Sequence, residues 1–116
     1  MIESKYECSQ ALLAVRDALD ILNGKWKIPI LISLLYSKKR FKEMERDIEG
    51  ITGKMLSKEL KDLELNELVK RTVSANLPVS VEYSLTPYGK SLEQLIDELY
   101  NWGHKHRKRM MVPATK

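Results

Sequence analysis

Apolar residues recur along this chain with two periods, and the change from one to the other divides it. Leu12, Val15, Leu19 and Leu22 follow helical spacing, with Ser9 placed to cap a first helix and Gly24 to end it. From about Trp26 to Tyr36, apolar side chains cover most of the helical circumference, which predicts a central, buried second helix. Pro29 falls in its first turn, where a missing N–H does least harm. Phe41, Met44 and Ile48 line one side of a short third helix, about Phe41 to Asp47, which Gly50 breaks. Thr52 caps a fourth helix from about Gly53 to Leu65. After Asn66 the period shortens. Leu68 to Val73 reads as a strand and Asn76-Leu77-Pro78 as a turn. Val79, Val81, Tyr83 and Leu85 then alternate with Ser80, Glu82 and Ser84, as in a strand with one buried face. Thr86-Pro87 opens a final helix running to about Arg109, and Pro113 closes the ordered part. Leu92, Leu95, Leu99, Trp102 and His106 form a seam of alternating three- and four-residue steps on it, suited to packing against another helix.

Four helices, a hairpin and a helix predict a mostly α fold with a β-hairpin (α+β), in the order of a winged helix-turn-helix. Residues 40–65 would be the helix-turn-helix and 67–86 the wing, within one domain spanning 1–116. The 116 residues suffice for one core and not two. No internal repeat, low-complexity tract or Gly/Ser linker divides them. With 43% hydrophobic and 31% charged residues the balance is globular rather than disordered. The longest apolar run, Ile28 to Tyr36, is interrupted by Pro29 and Ser33 and is too short for a membrane span. The start, MIESKYECSQ, has no cationic flank followed by an apolar stretch, so no secretory signal and a cytoplasmic location are expected, with no membrane partner. Cys8 is the sole cysteine, which rules out an internal disulfide framework and fits a reducing compartment.

The net charge of +4 is compatible with nucleic acid, but where the charge sits is more informative. A basic run spans His104 to Arg109, and lysines cluster from Lys54 to Lys61. On the fourth helix, taking Lys54 as origin, Ser57, Lys58 and Lys61 fall at about −60°, +40° and −20°. Leu56, Leu60 and Leu63 lie opposite, at about 200°, 240° and 180°. One face is a leucine stripe for the core; the other carries three cations and a hydroxyl with no carboxylate in the arc. A recognition helix needs this division, since lysines neutralise phosphates or donate to guanine edges. A solvated amphipathic helix often shows such a face as well, and the hairpin that follows tips the balance towards double-stranded DNA.

The candidate DNA-contacting residues are Lys39, Arg40, Thr52, Lys54, Ser57, Lys58, Lys61, Arg71, Asn76 and Ser80. Lys38, Lys39 and Arg40 read as phosphate clamps or simply as a soluble loop. The wing, about Ser74 to Ser80, is poor in charge: Arg71 is its nearest cation, and Asn76 and Ser80 offer only hydrogen bonds. Its expected contribution to affinity is modest.

Other chemistry finds little support. There is no Gly-rich phosphate loop, no paired His and Cys and no isolated carboxylate pair in an apolar setting, so no enzymatic activity and no cofactor are expected. His104 and His106 stand about 200° apart on a helix, against a metal site. His106 fits an interface instead. Trp26 and Trp102 read as core or interface aromatics, or as the lining of a small-molecule pocket between helices at the dimer interface. Cys8 starts the first helix, where thiolates are favoured, while Glu7 and Lys5 nearby oppose each other. It is either an unremarkable thiol or a redox or electrophile switch. A winged-helix module that binds protein without touching DNA is the alternative function; exposed aromatics or mixed charge would be expected on its fourth helix.

Several stretches carry a resemblance: Gly24-Lys25-Trp26, Arg40-Phe41-Lys42-Glu43-Met44 and Gly50-Ile51-Thr52-Gly53-Lys54-Met55-Leu56. Leu60-Lys61-Asp62-Leu63-Glu64, Val81 to Gly89 and Trp102-Gly103 continue it. In this order and spacing, from about Cys8 to His106, the chain resembles the HxlR-type winged-helix regulators. The resemblance implies a MarR-like homodimer on an inverted-repeat operator, with helices 8–24 and 87–109 as the dimer interface. Leu12, Val15 and Leu19 would meet the partner's Leu92, Leu95, Leu99, Trp102 and His106. It also implies a small-molecule inducer or a sensing role for Cys8, which in some family members responds to quinones, aldehydes or oxidants. Two departures stand out: Ser9 follows the cysteine where the family often has proline, and the wing lacks the family's usual basic residues.

Overall fold

The computed structural model describes residues 7–76 and 78–111, so Lys5, Leu77 and Pro113 lie outside the described residues. Helix α1 (Cys8–Ile21) is capped by Glu7 rather than Ser9. The Glu7 backbone N–H donates to Gln10 Oε1 at 3.3 Å, so a side chain three residues on closes the first turn. Gly24, at φ +85°, reverses the chain after α1. Helix α2 (Lys27–Tyr36) follows and places Ile30, Leu31 and Leu34 at the centre of the core, as its continuous apolar surface requires.

A short strand, β1 (Lys39–Arg40), stands where the sequence suggests a loop. It pairs antiparallel with Tyr83 and Glu82, so the expected hairpin is in fact part of a three-stranded sheet. Two residues carry no readable alternation, so the pattern could not signal this strand. Helix α3 (Phe41–Asp47) and helix α4 (Gly53–Leu65) occupy their expected ranges. Strands β2 (Val69–Ser74) and β3 (Ser80–Leu85) pair from Val69↔Leu85 to Ser74↔Ser80, and the sheet order is β1-β3-β2. Tyr83 and Leu85 are buried, whereas Val79 precedes β3 and is exposed.

The last predicted helix is two. Helix α5 (Pro87–Lys90) is capped by Thr86, whose Oγ1 accepts from the Gly89 N–H at 2.9 Å. A Cβ at Gly89 would lie 2.0 Å from the Leu68 carbonyl oxygen, so only glycine lets this turn rest on the backbone at the head of β2. The Ser91 and Leu92 N–H groups then bond back three residues, to the Tyr88 and Gly89 carbonyls, which tightens the turn and redirects the chain. Helix α6 (Glu93–Met110) starts afresh from Leu92. Leu92 therefore leaves the predicted seam: it packs against the core beside Ile96, its position fixed by the break rather than by the helical period.

The core gathers around Ile30, Leu31, Met44, Leu56, Leu60 and Leu63, all fully buried. Helix α1 buries no residue at all. The radius of gyration is 17.5 Å, against about 13 Å for a compact chain of this length. Among the described residues no helix is long and apolar enough to cross a membrane.

Candidate nucleic-acid interface

Helices α3 and α4 are joined by a tight turn whose pivot is Gly50, at φ +89°. The Trp26 ring lies beneath it: a Cβ on Gly50 would sit 3.6 Å from Trp26 Cη2. Thr52 Oγ1 accepts the Met55 N–H at 3.1 Å, closing the first turn of α4 as its position predicts. Arg40 caps α3, its backbone N–H donating to Glu43 Oε1 at 2.7 Å.

Two contacts hold α4 in place. Leu56, Leu60 and Leu63 enter the core. Beside them, Lys27 of α2 reaches Glu59 Oε1 at 2.5 Å, Asp62 Oδ2 at 3.4 Å and Asn23 Oδ1 at 3.2 Å. Burial opposes the Lys27 charge, but the hydrogen bonds and attraction of Glu59, then Asp62, outweigh it and raise its pKa above the ordinary lysine value. A leucine stripe tolerates small rotations of a helix. A buried ammonium between two carboxylates does not, because a slip would strand a charge. The pair fixes which residues α4 turns outward. Sequence reading missed it, although a lysine in an apolar helix and a carboxylate bordering a leucine stripe were both visible.

The outward residues are Lys54, Ser57, Lys58 and Lys61, all exposed. Lys58 has one loose tether, to Asp62 at 3.8 Å. The arc read from the helical wheel therefore exists as a polar surface. Arg40 is exposed at the head of α3, Thr52 at the head of α4. Arg71 and Asn76 are exposed on the hairpin, and Ser80 is half-buried opposite Ser74. Lys39 differs from the free cation of a phosphate clamp. Its ammonium meets Asp47 Oδ2 at 2.6 Å and Ser33 Oγ at 3.4 Å, because β1 pairing aims it across the end of α3.

Away from this face, Leu12, Val15 and Leu19 are exposed on α1, and Leu95, Leu99, Trp102 and His106 on α6. Trp102 and His106 stack, with ring centroids 5.1 Å apart. Cys8 is exposed at the first position of α1. Trp26 lines a cleft of about 570 Å³ with Ile32, Tyr36 and Ile48, and Trp102 is no part of its wall. Among the described residues no group of three His, Cys, Asp or Glu is arranged to hold a metal ion.

Comparison with known proteins gives the arrangement its setting. The model of the HxlR-like helix-turn-helix family matches residues 21–111. The HTH-type transcriptional regulator YtcD of Bacillus subtilis is 41% identical over 98 residues, 84% of this chain and 78% of that one. The redox regulator HypR, solved in reduced form, superposes with a TM-score of 0.79 at 37% identity, covering 84% of this chain and 96% of that one. A MarR-family transcriptional regulator from Enterococcus faecalis V583 superposes with a TM-score of 0.77 at 32% identity, covering 91% and 94%. The architecture is thus that of the MarR-like winged helix-turn-helix regulators.

Proposed function

The chain belongs to the HxlR-like helix-turn-helix family of transcriptional regulators, and on that premise we propose that it is a cytoplasmic, non-enzymatic repressor that binds an inverted-repeat operator as a homodimer. The observation that carries this reading is the exposed Lys54, Ser57, Lys58 and Lys61 face of α4, held opposite three buried leucines. In this reading α4 enters the major groove, Arg40 and Thr52 meet the flanking phosphates, and Arg71, Asn76 and Ser80 add a modest wing contact. Lys39 contributes only once it leaves Asp47. The exposed apolar faces of α1 and α6 join two protomers, which presents two recognition helices about 34–36 Å apart to a near-palindromic site.

Regulation enters through the pair. A small-molecule inducer has to bind the competent and incompetent spacings of the recognition helices unequally. Cys8 offers a second route. HypR is described as a redox regulator and has been solved in reduced and oxidised forms. The present sequence has one cysteine, so a disulfide within a pair of these chains joins Cys8 to the partner's Cys8. Operator affinity of Cys8→Ser with and without a quinone tests the switch; an unchanged quinone response eliminates it.

Selection of bound DNA from a random pool tests the whole reading. The expected product is a twofold-symmetric site with half-sites about one helical turn apart. Recovery of no enriched sequence, with binding insensitive to salt, would overturn DNA recognition and favour a protein-binding module.

A further inference from the structure

Helix α6 is divided by charge. Its first half, Glu93 to Tyr100, carries three carboxylates and no cation; its second, Asn101 to Met110, carries four lysines and arginines and no carboxylate. Among the described residues none of these seven groups forms a salt bridge, although other surface charges of the chain do. The apolar seam of Leu95, Leu99 and Trp102 runs along the same helix, exposed and bridging the two halves. Such a face fits one partner with unusual economy, which is itself reversed.

Resting on the homodimer reading above, we infer that α6 packs antiparallel against the α6 of a second copy, with Glu98 of each chain facing Lys105 of the other. At about 100° per residue, Leu95, Leu99, Trp102 and His106 lie within an arc of about 60°. Glu98 and Lys105 fall about 60° and 80° to the same side of Leu95, on one flank of that seam. Across a twofold axis perpendicular to two antiparallel helices, each flank meets its own copy, so residues on one flank pair with one another. The midpoint between Glu98 and Lys105 falls between Asn101 and Trp102, which sets Trp102 beside the axis. A parallel arrangement would instead set carboxylates against carboxylates and cations against cations, which costs pairing free energy. Charges flanking a helical seam set partner choice and orientation in this way.

Both residues are exposed, so reversing either leaves the fold intact, and circular dichroism verifies it. Glu98→Lys and Lys105→Glu are each expected to weaken dimerisation about tenfold in sedimentation, since every dimer then holds two repulsive contacts. A mixture of the two variants should recover wild-type affinity as a heterodimer, seen by native mass spectrometry, and the double variant should recover it as a homodimer. Statistical pairing in the mixture, or wild-type affinity in both single variants, overturns the register while leaving the dimer standing. Lys105→Glu that loses operator affinity with its dimer intact also overturns it, assigning the basic half to phosphate instead. A monomeric wild-type chain at micromolar concentration overturns the dimer reading itself.

Discussion

Helices α4 and α6 carry the same kind of sequence, an apolar stripe opposite a charged face, and meet opposite fates. The α4 stripe is consumed within the chain: Leu60 is 1% exposed. The α6 stripe is left open: Leu99 is 49% and Trp102 69% exposed. Periodicity reports that a stripe needs covering. It does not report who covers it. The difference lies in what surrounds each helix. Helix α4 is clamped between α2 and the sheet, whereas α6 touches the core through Leu92 and Ile96 and then runs clear of it.

The sharpest test of this contrast is a matched pair of truncations. Leu60→Ala should cost about 4 kcal/mol of folding stability, because the removed atoms leave a cavity in a packed core. Leu99→Ala should leave the folded protomer nearly unchanged and weaken the dimer, seen as a Tm deficit at high protein concentration that disappears on dilution. Equal losses of stability at both positions, independent of concentration, would remove the distinction.

The same contrast separates what could be read in the sequence from what could not. The ranges of α3 and α4, the Thr52 cap and the outward lysine arc were legible because each follows from local spacing. The break at Ser91–Leu92 was not. Thr86-Pro87 starts a helix properly, and nothing local reveals that Gly89 must rest against the Leu68 carbonyl. Strand β1 escaped for a related reason, since Lys39 and Arg40 find Tyr83 and Glu82 some forty residues on, and the Lys39–Asp47 pair follows from the way that strand aims Lys39. Lys27 was the avoidable miss. A lysine among Ile28, Ile30, Leu31 and Leu34 calls for a buried partner.

That partner gives the next largest effect, because α4 has an ionic anchor and α6 has none among the described residues. Lys27→Ala strands Glu59 in the core and should destabilise the fold by about 3 kcal/mol. Lys27→Met with Glu59→Leu should recover most of it, since replacing both charges by apolar groups of similar volume is often neutral. The pH dependence follows from the sign of the shift. The folded-state pKa of Lys27 is raised, so its contribution is fully present below the ordinary lysine value of 10.5 and is lost as pH climbs through the folded value. Chemical denaturation across the alkaline range should therefore show wild type losing a stability increment that the doubly apolar variant never had. Parallel curves for the two would count against the pair.

The caps provide a smaller test. Thr52→Ala leaves the Met55 N–H without its side-chain acceptor and should cost about 1 kcal/mol. The capping of α1, from the Glu7 N–H to the Gln10 side chain, is exposed on a helix that buries nothing. Gln10→Ala should therefore change protomer stability less than Thr52→Ala in the same urea titration. The order reverses only if α1 is held in place by the partner, in which case the Gln10→Ala cost grows with protein concentration.

The smallest expected change in stability belongs to the residues expected to matter most for DNA. Lys58→Ala and Lys61→Ala remove exposed side chains, so each should alter folding stability by less than about 0.5 kcal/mol. Lys58 gives up only a loose contact with Asp62 at 3.8 Å, which an exposed pair makes worth little. Each should nonetheless weaken operator binding, and each lysine that touches only phosphate should lower the salt slope of log K by about one. A lysine that reads a guanine edge would instead relax sequence preference at one position by about 1–3 kcal/mol. Charge changes on α6 should behave oppositely: Glu98→Lys adds a cation, yet it should reduce operator affinity by reducing the dimer. If adding that charge strengthens DNA binding, α6 belongs with α4 among the DNA-facing surfaces, and the two helices differ in burial but not in task.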